Sequence, residues 1–144
     1  MSVQIVKASS IIKLRHKVLR ANKDLDSAKY ALDNNQNTFH LAKKEQNEIV
    51  CVATFYPEHN SIINAQNPYR LRGMATHHEF RRRGFASELM NAAFEYLTKL
   101  ECDVLWCKAR VVALDYYDFM GFHKIGDVFE IEGIGPHYHM YKLI

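Results

Sequence analysis

The sequence is poor in the residues that define several special protein classes. Its 144 residues include only three cysteines, three prolines, six glycines and one tryptophan. Glycine and proline are too scarce for a collagen repeat, and the apolar content is too high for a disordered chain. Cys51, Cys102 and Cys107 are odd in number, and the last two are not spaced Cys-x-x-Cys. That excludes a disulfide framework and a zinc knuckle, and leaves reduced thiols as the expectation. No apolar run approaches the roughly 18 residues of a membrane helix. Met1–Lys7 lacks the basic stretch and apolar core of a secretory leader. The expectation is therefore a cytoplasmic protein, made without processing and with no membrane partner. An excess of one charge is also missing, since 19 Lys+Arg stand against 16 Asp+Glu for a net +3.

What is present describes one globular domain spanning residues 1–144, with 48% hydrophobic and 24% charged residues. A chain this size can bury roughly 68–70% of the surface it exposes unfolded, so it needs no metal or disulfide to close a core. Val3–Val6 reads as a first strand. Ser9 and Ser10 can cap a helix carrying Ile11, Leu14, Arg15 and Val18 at helical spacing and running to about Ala21. Asn22–Asn37 is polar, with room for a short helix around Leu25–Leu32. Thr38–Ala42, Ile49–Tyr56 and Tyr69–Thr76 read as three strands of an antiparallel meander, interrupted by 43–48 and by the Pro57–Pro68 loop. After Gly84 the period changes: Phe85, Leu89, Ala93 and Leu97 step by four, and Ala86, Met90 and Phe94 widen the same face. A strand at Asp103–Lys108, a helix at Val111–Met120 ended by Gly121, and strands at Phe122–Glu130 and His137–Leu143 complete the order. The class is α/β, a mixed and mostly antiparallel sheet flanked by helices.

The chemical focus is Arg81-Arg82-Arg83-Gly84-Phe85-Ala86, where a strand and turn lead into the strongest helix. A helix start offers unpaired N–H groups and the positive end of the dipole, which suits an anion. Gly84 allows a phosphate to approach the backbone, and the arginines can pair with its oxygens. Spacing alone leaves this turn open between a pyrophosphate site and a solvated basic cap. A nucleic-acid patch is disfavoured, because no second dense Lys/Arg run with interleaved aromatics reinforces the triplet. His137-x-His139 places two imidazoles on one face of a strand. No Cys or carboxylate spacing completes a zinc set with them, so no metal is expected.

Three segments, in order, carry a resemblance. Arg81-x-x-Gly84-x-Ala86 resembles the Gln/Arg-x-x-Gly-x-Gly/Ala acetyl-CoA signature of the GNAT superfamily of N-acetyltransferases. Leu71-Arg72-Gly73-Met74-Ala75-Thr76 resembles that family's fourth strand. Ala113-Leu114-Asp115-Tyr116-Tyr117-Asp118-Phe119-Met120-Gly121-Phe122 resembles its Ala-x-x-Phe-Tyr-x-x-x-Gly-Phe segment. The resemblance implies an acyl-CoA N-acyltransferase architecture and acetyl-CoA as donor. It gives the pyrophosphate to the main chain of Arg82, Arg83, Gly84, Phe85, Ala86 and Ser87, with Arg81 among the arginines that can add charge. It gives the pantetheine arm to Met74, Ala75 and Thr76. It assigns Tyr117 the acid that protonates the leaving thiolate, and makes the Met74 N–H a candidate oxyanion donor. One departure is Arg110, where many members carry Asn.

The implied function is transfer of an acetyl group from acetyl-CoA to a primary amine of a small molecule or peptide by direct attack. The alternative is a non-catalytic acyl-CoA-binding sensor or scaffold. A nucleic-acid or ribosome-associated role rests on the arginine triplet alone, and nucleic acid is not expected as a partner. A homodimer is the family-level expectation. Glu79, His77 and His78 follow the fourth strand and could relay a proton through water, without one being singled out as base. The tail from Gly133 to Lys142 resembles the last strand of one group of GNAT proteins, which brings His137 and Tyr138 forward as acceptor contacts.

Overall fold

A computed structural model describes residues 3–144, so Met1 and Ser2 of the amino-terminal segment lie outside the described residues. Among these residues seven strands pair in the order β1-β2-β3-β4-β5-β7-β6. The strands are β1 (Val3–Val6), β2 (Phe39–Glu45), β3 (Glu48–Pro57), β4 (Tyr69–Thr76), β5 (Val104–Arg110), β6 (His123–Ile131) and β7 (Gly135–Leu143). The helices are α1 (Ile12–Leu19), α2 (Phe85–Lys99) and α3 (Leu114–Phe119). The β4–β5 pairing is parallel, whereas β1–β2, β2–β3, β5–β7 and β6–β7 are antiparallel, so the sheet is mixed as the sequence implied. The described residues form two compact units, 3–56 with Leu71–Tyr96, and Pro57–Arg70 with Leu97–Ile144.

In the first unit the two faces of β2 meet different helices, because successive side chains alternate. Ala42 joins Ile11 just before α1, Leu14 of α1, Val52 of β3 and Ala75 of β4 in one buried cluster. Phe39 points the other way, stacking on Phe55 at 4.9 Å and meeting Tyr96 of α2 at 4.6 Å. Lys43 faces α2 as well: it is buried, pairs with Glu88 at 3.1 Å and lies 5.1 Å from the Phe85 ring centroid.

Several boundaries differ from the sequence reading. Ser9 and Ser10 lie in a 3-10 turn and do not cap α1; Ile11 occupies the cap, with no side-chain bond. The helix expected at Leu25–Leu32 is a 3-10 turn over Leu25–Ala28, capped by Asp24 accepting from the Ser27 N–H. The break expected over 43–48 shrinks to Gln46 and Asn47, with φ of 51° and 67°. Two left-handed residues make the tight turn that matches strand twist, so β2 and β3 pair to their ends. The helix expected at Val111–Met120 divides into a 3-10 turn (Val111–Ala113) and α3. Gly121 ends it as expected: its φ is +92°, and the Phe122 N–H reaches back to the Tyr117 carbonyl at 2.9 Å.

Gly73 is the conformational exception within β4. Its φ is +64°, and a Cβ there would lie 2.8 Å from Arg15 Nε and 3.3 Å from Tyr30 Cε2. Arg72 on one side of it meets Tyr30, which also stacks with Arg15 of α1, while Ala75 on the other side packs into the α1 cluster. An uninterrupted strand would send residues three apart to opposite faces, and the left-handed glycine resets the alternation. Gly73→Ala is therefore expected to lose at least about 1–2 kcal/mol from the backbone conformation alone. Urea denaturation reads this as a lower midpoint with an unchanged slope.

In the second unit, Ile63, Val104 and Trp106 form a buried cluster, against which Ala65, Ile125 and Tyr141 pack. Trp106 donates its indole N–H to the Glu58 carbonyl at 2.9 Å, which fixes the loop before β4. The β4–β5 ladder pairs Tyr69 with Leu105 and Arg70 with Trp106.

Candidate active site

The approach to α2 is built for an exposed anion. After β4, His77 caps a 3-10 turn (His78–Phe80) by accepting from the Glu79 N–H at 3.1 Å. Arg82 and Gly84 both take left-handed backbone, with φ of 63° and 78°. A Cβ on Gly84 would meet nothing within 4 Å. The glycine thus serves backbone conformation and open approach rather than close packing. The first bond of α2 runs from the Glu88 N–H to the Gly84 carbonyl at 3.0 Å, so the N–H groups of Phe85 and Ala86 precede the ladder. Residues 81–84 are exposed. Arg83 lies 5.2 Å from the Phe80 ring centroid, and no carboxylate pairs with Arg81, Arg82 or Arg83 among the described residues. Uncancelled positive charge, a helix start and an open backbone turn together fit a pyrophosphate.

The structure places all ten residues assigned to the cofactor, Met74–Thr76 and Arg81–Ser87, in the first unit. Ala75 is buried in the α1 cluster, whereas Met74 and Thr76 are half-buried. The Thr76 hydroxyl meets Cys51 Sγ at 3.3 Å. His77 sends its N–H to the Val50 carbonyl at 2.7 Å, and its Nε2 lies 3.0 Å from Lys17 Nζ. That contact already engages one of the residues considered for a proton relay. His78 and Glu79 are exposed.

Tyr117 belongs to the second unit and is buried on α3, with edge contacts to Tyr116 at 5.6 Å and Phe122 at 5.3 Å. Burial pushes its hydroxyl well above the ordinary tyrosine range, with Cys107 and Tyr116 adding to the rise and Arg110 opposing it. A phenol in this position keeps its proton at neutral pH. Arg110, the departure from the family pattern, thus acts electrostatically on Tyr117. Burial also raises the thiols, Cys51 and Cys102 to about 11 and Cys107 to about 12. All three are free and buried, so none is a thiolate nucleophile at neutral pH.

His137 and His139 both stack on Phe129, at 5.9 and 4.6 Å. His137 is buried with Nδ1 2.8 Å from the Gly135 carbonyl, and Tyr138 carries Lys124 at 5.0 Å from its ring centroid. Among the described residues no three His, Cys, Asp or Glu side chains gather as a metal site. Among the described residues no helix is long and apolar enough to cross a membrane. Sequence reasoning missed Lys43 and Glu88 beside the start of α2, and the stack of Arg15, Tyr30 and Arg72. The Arg-Gly pair within β4 was the one local signal for the latter.

The strand order and the three helices define an α/β acyltransferase-type fold. An acyl-CoA N-acyltransferase from Pseudomonas aeruginosa superposes with a TM-score of 0.76 at 17% identity, over 97% of each chain. An aminoglycoside 6'-N-acetyltransferase complexed with coenzyme A gives 0.79 at 13% identity, over 99% of this chain and 97% of that one. These likenesses concern the fold. The acetyltransferase (GNAT) family model matches residues 9–122. The uncharacterized N-acetyltransferase YitI of Bacillus subtilis (strain 168) is 31% identical over 144 residues, covering 100% of this chain and 97% of its own. The chain belongs to the acetyltransferase (GNAT) family and is an N-acetyltransferase of that family, with an acyl-CoA donor and an amine acceptor.

Proposed function

We propose that the donor is acetyl-CoA and that the protein moves its acetyl group to a primary amine by direct attack, within one N-acetyltransferase domain spanning residues 1–144. The observation that carries this reading is the exposed Arg81–Gly84 turn, with left-handed backbone at Arg82 and Gly84 directly ahead of α2. Bound acetyl-CoA supplies an activated thioester carbonyl, whose carbon gains the bond to the amine nitrogen as the carbon–sulfur bond breaks.

In this reading the main chain of 82–87 holds the pyrophosphate, and Arg81, Arg82 and Arg83 add countercharge. The backbone of Met74–Thr76 holds the pantetheine arm, and the Met74 N–H donates to the oxygen that becomes negative. Tyr117 gives its hydroxyl proton to the departing sulfur and recovers one from solvent. The amine attacks in its neutral form, and the extra proton on its nitrogen leaves to water as the amide forms. The raised pKa of each of the three buried thiols supports a single direct step over a cysteine-bound acyl group.

The test is acetyl-CoA consumption over a panel of primary amines, with mass detection of the N-acetylated product, paired with thermal melting. Acetyl-CoA at about 100 times its Kd is expected to stabilise the fold by about 2.7 kcal/mol. Thermal stabilisation with no thioester consumed over a broad panel would favour the sensor or scaffold reading. Absence of both would remove acetyl-CoA as ligand.

A further inference from the structure

The Tyr30 ring carries two guanidinium groups. Arg15 Cζ lies 3.8 Å from its centroid and Arg72 Cζ lies 4.0 Å from it. Stacking on an aromatic face holds a guanidinium plane while leaving its N–H edge available. The two arginines differ in their counter-ions. Arg15 is fully buried and clamps Asp33 with two bonds, at 2.7 and 3.0 Å. Arg72 is half-buried, and no carboxylate pairs with it among the described residues. The cluster thus holds two cations and one anion, in surroundings partly withdrawn from water, where an uncompensated charge costs more than on an open surface.

The place of the second cation is informative. Arg72 stands two residues before Met74 on β4, and Gly73 between them turns Arg72 to the α1 side, where Tyr30 holds it. Two residues of fully extended chain span at most about 7 Å. A group held by Arg72 therefore lies within the reach of a small molecule from the segment assigned to the reactive end of the donor. The partner that matches a fixed guanidinium edge is a planar carboxylate, bound bidentately.

We infer that the acceptor is an amine carrying its own carboxylate, in the manner of an amino acid, that Arg72 binds this carboxylate, and that Tyr30 positions the guanidinium. The inference rests on the acetyl-transfer reading above and adds the substrate class. Arg72 acts on specificity, and Tyr30 acts through Arg72.

The test pairs each free amino acid with its carboxamide, which keeps the amine and removes the negative charge. Acetyl-CoA consumption is measured for both members of each pair. The wild-type protein is expected to favour the acid by about 10- to 100-fold in kcat/KM, carried by KM. Arg72→Gln is expected to collapse that acid-to-amide ratio towards one, Arg72→Lys to keep part of it, and Tyr30→Leu to lower it with the charge still present. A second measurement is independent of turnover: binding of N-acetyl amino acids and of their amides to the CoA-loaded protein, by calorimetry. The same preference is expected there, with the same loss in Arg72→Gln. Equal use and equal binding of acids and amides by the wild type, or a preference that survives Arg72→Gln, would overturn the inference. A binding preference without consumption of acetyl-CoA would uphold the carboxylate site at Arg72 and overturn its bearing on an acceptor, together with the catalytic reading.

Discussion

Tyr117→Phe lowers turnover by about 10²- to 10⁴-fold, the range of a positioned general acid. The substitution removes one oxygen and keeps the ring against Tyr116 and Phe122, so the loss is expected in kcat, with thermal stability and acetyl-CoA affinity close to those of the wild type. The pH profile separates a proton donor from a packing residue. Because burial holds the hydroxyl well above the ordinary tyrosine range, the wild-type rate shows no fall from loss of this proton up to about pH 10. Unchanged turnover in the phenylalanine variant removes Tyr117 from the chemistry.

Arg15→Met is expected to cost about 3–5 kcal/mol of folding stability, the loss seen when one member of a buried ion pair is removed. Arg15 is fully buried, and its guanidinium donates to both Asp33 oxygens, to the Ala28 carbonyl at 2.7 Å and to Thr54 Oγ1 at 2.6 Å. Asp33 in turn accepts from the Tyr30 N–H at 2.8 Å, its carbonyl meets His40 Nε2 at 2.9 Å, and His40 Nδ1 meets Thr54 Oγ1 at 2.7 Å. Removing the arginine strands a buried carboxylate and releases residues 28–33 from α1. Thermal melting would fall by roughly 10 °C or more for a chain of this length. The double substitution Arg15→Met with Asp33→Leu recovers part of the loss, because no charge is then left unpaired. A loss below about 1 kcal/mol for Arg15→Met would contradict this account of how the 28–33 segment is held.

These two residues mark the range of what could be read in advance. The start of α2, the left-handed Gly84 ahead of it and a helix around Tyr117 were legible because their signals are local: a period-four apolar face, a glycine before it and a glycine after the second helix. β4 was bounded to the residue, Tyr69–Thr76, since apolar and β-branched residues end there at a loop and a turn. The segment from Asn22 to Asn37 was not legible. Its order comes from Arg15, 18 residues before Asp33, and a lone arginine on a helix face gives no sign of its partner. The same blindness shortened β2, because Lys43 read as the start of a polar break. In the structure it is a buried strand residue whose charge is met by Glu88, 45 residues away on α2. Long-range ion pairs override local polarity, and a single sequence does not record them.

The positive charge concentrates where the chemistry is proposed. Arg81, Arg82 and Arg83 lie exposed at the start of α2, and Arg72 is held by Tyr30 beside Met74. A phosphorylated donor and a carboxylate-bearing acceptor would each answer one of these charges. The two sites make separable demands: salt and Gly84 substitutions bear on the donor, and Arg72 substitutions on the acceptor.

The most direct test of acetyl transfer is one incubation of the purified protein with acetyl-CoA and a primary-amine panel, read by free thiol release and by the mass of the acceptor. The expected result is stoichiometric release of CoA with one acetyl group gained by at least one amine, abolished to near background in Tyr117→Phe. Release of CoA without an acetylated amine, or none over the whole panel at saturating acetyl-CoA, would contradict it.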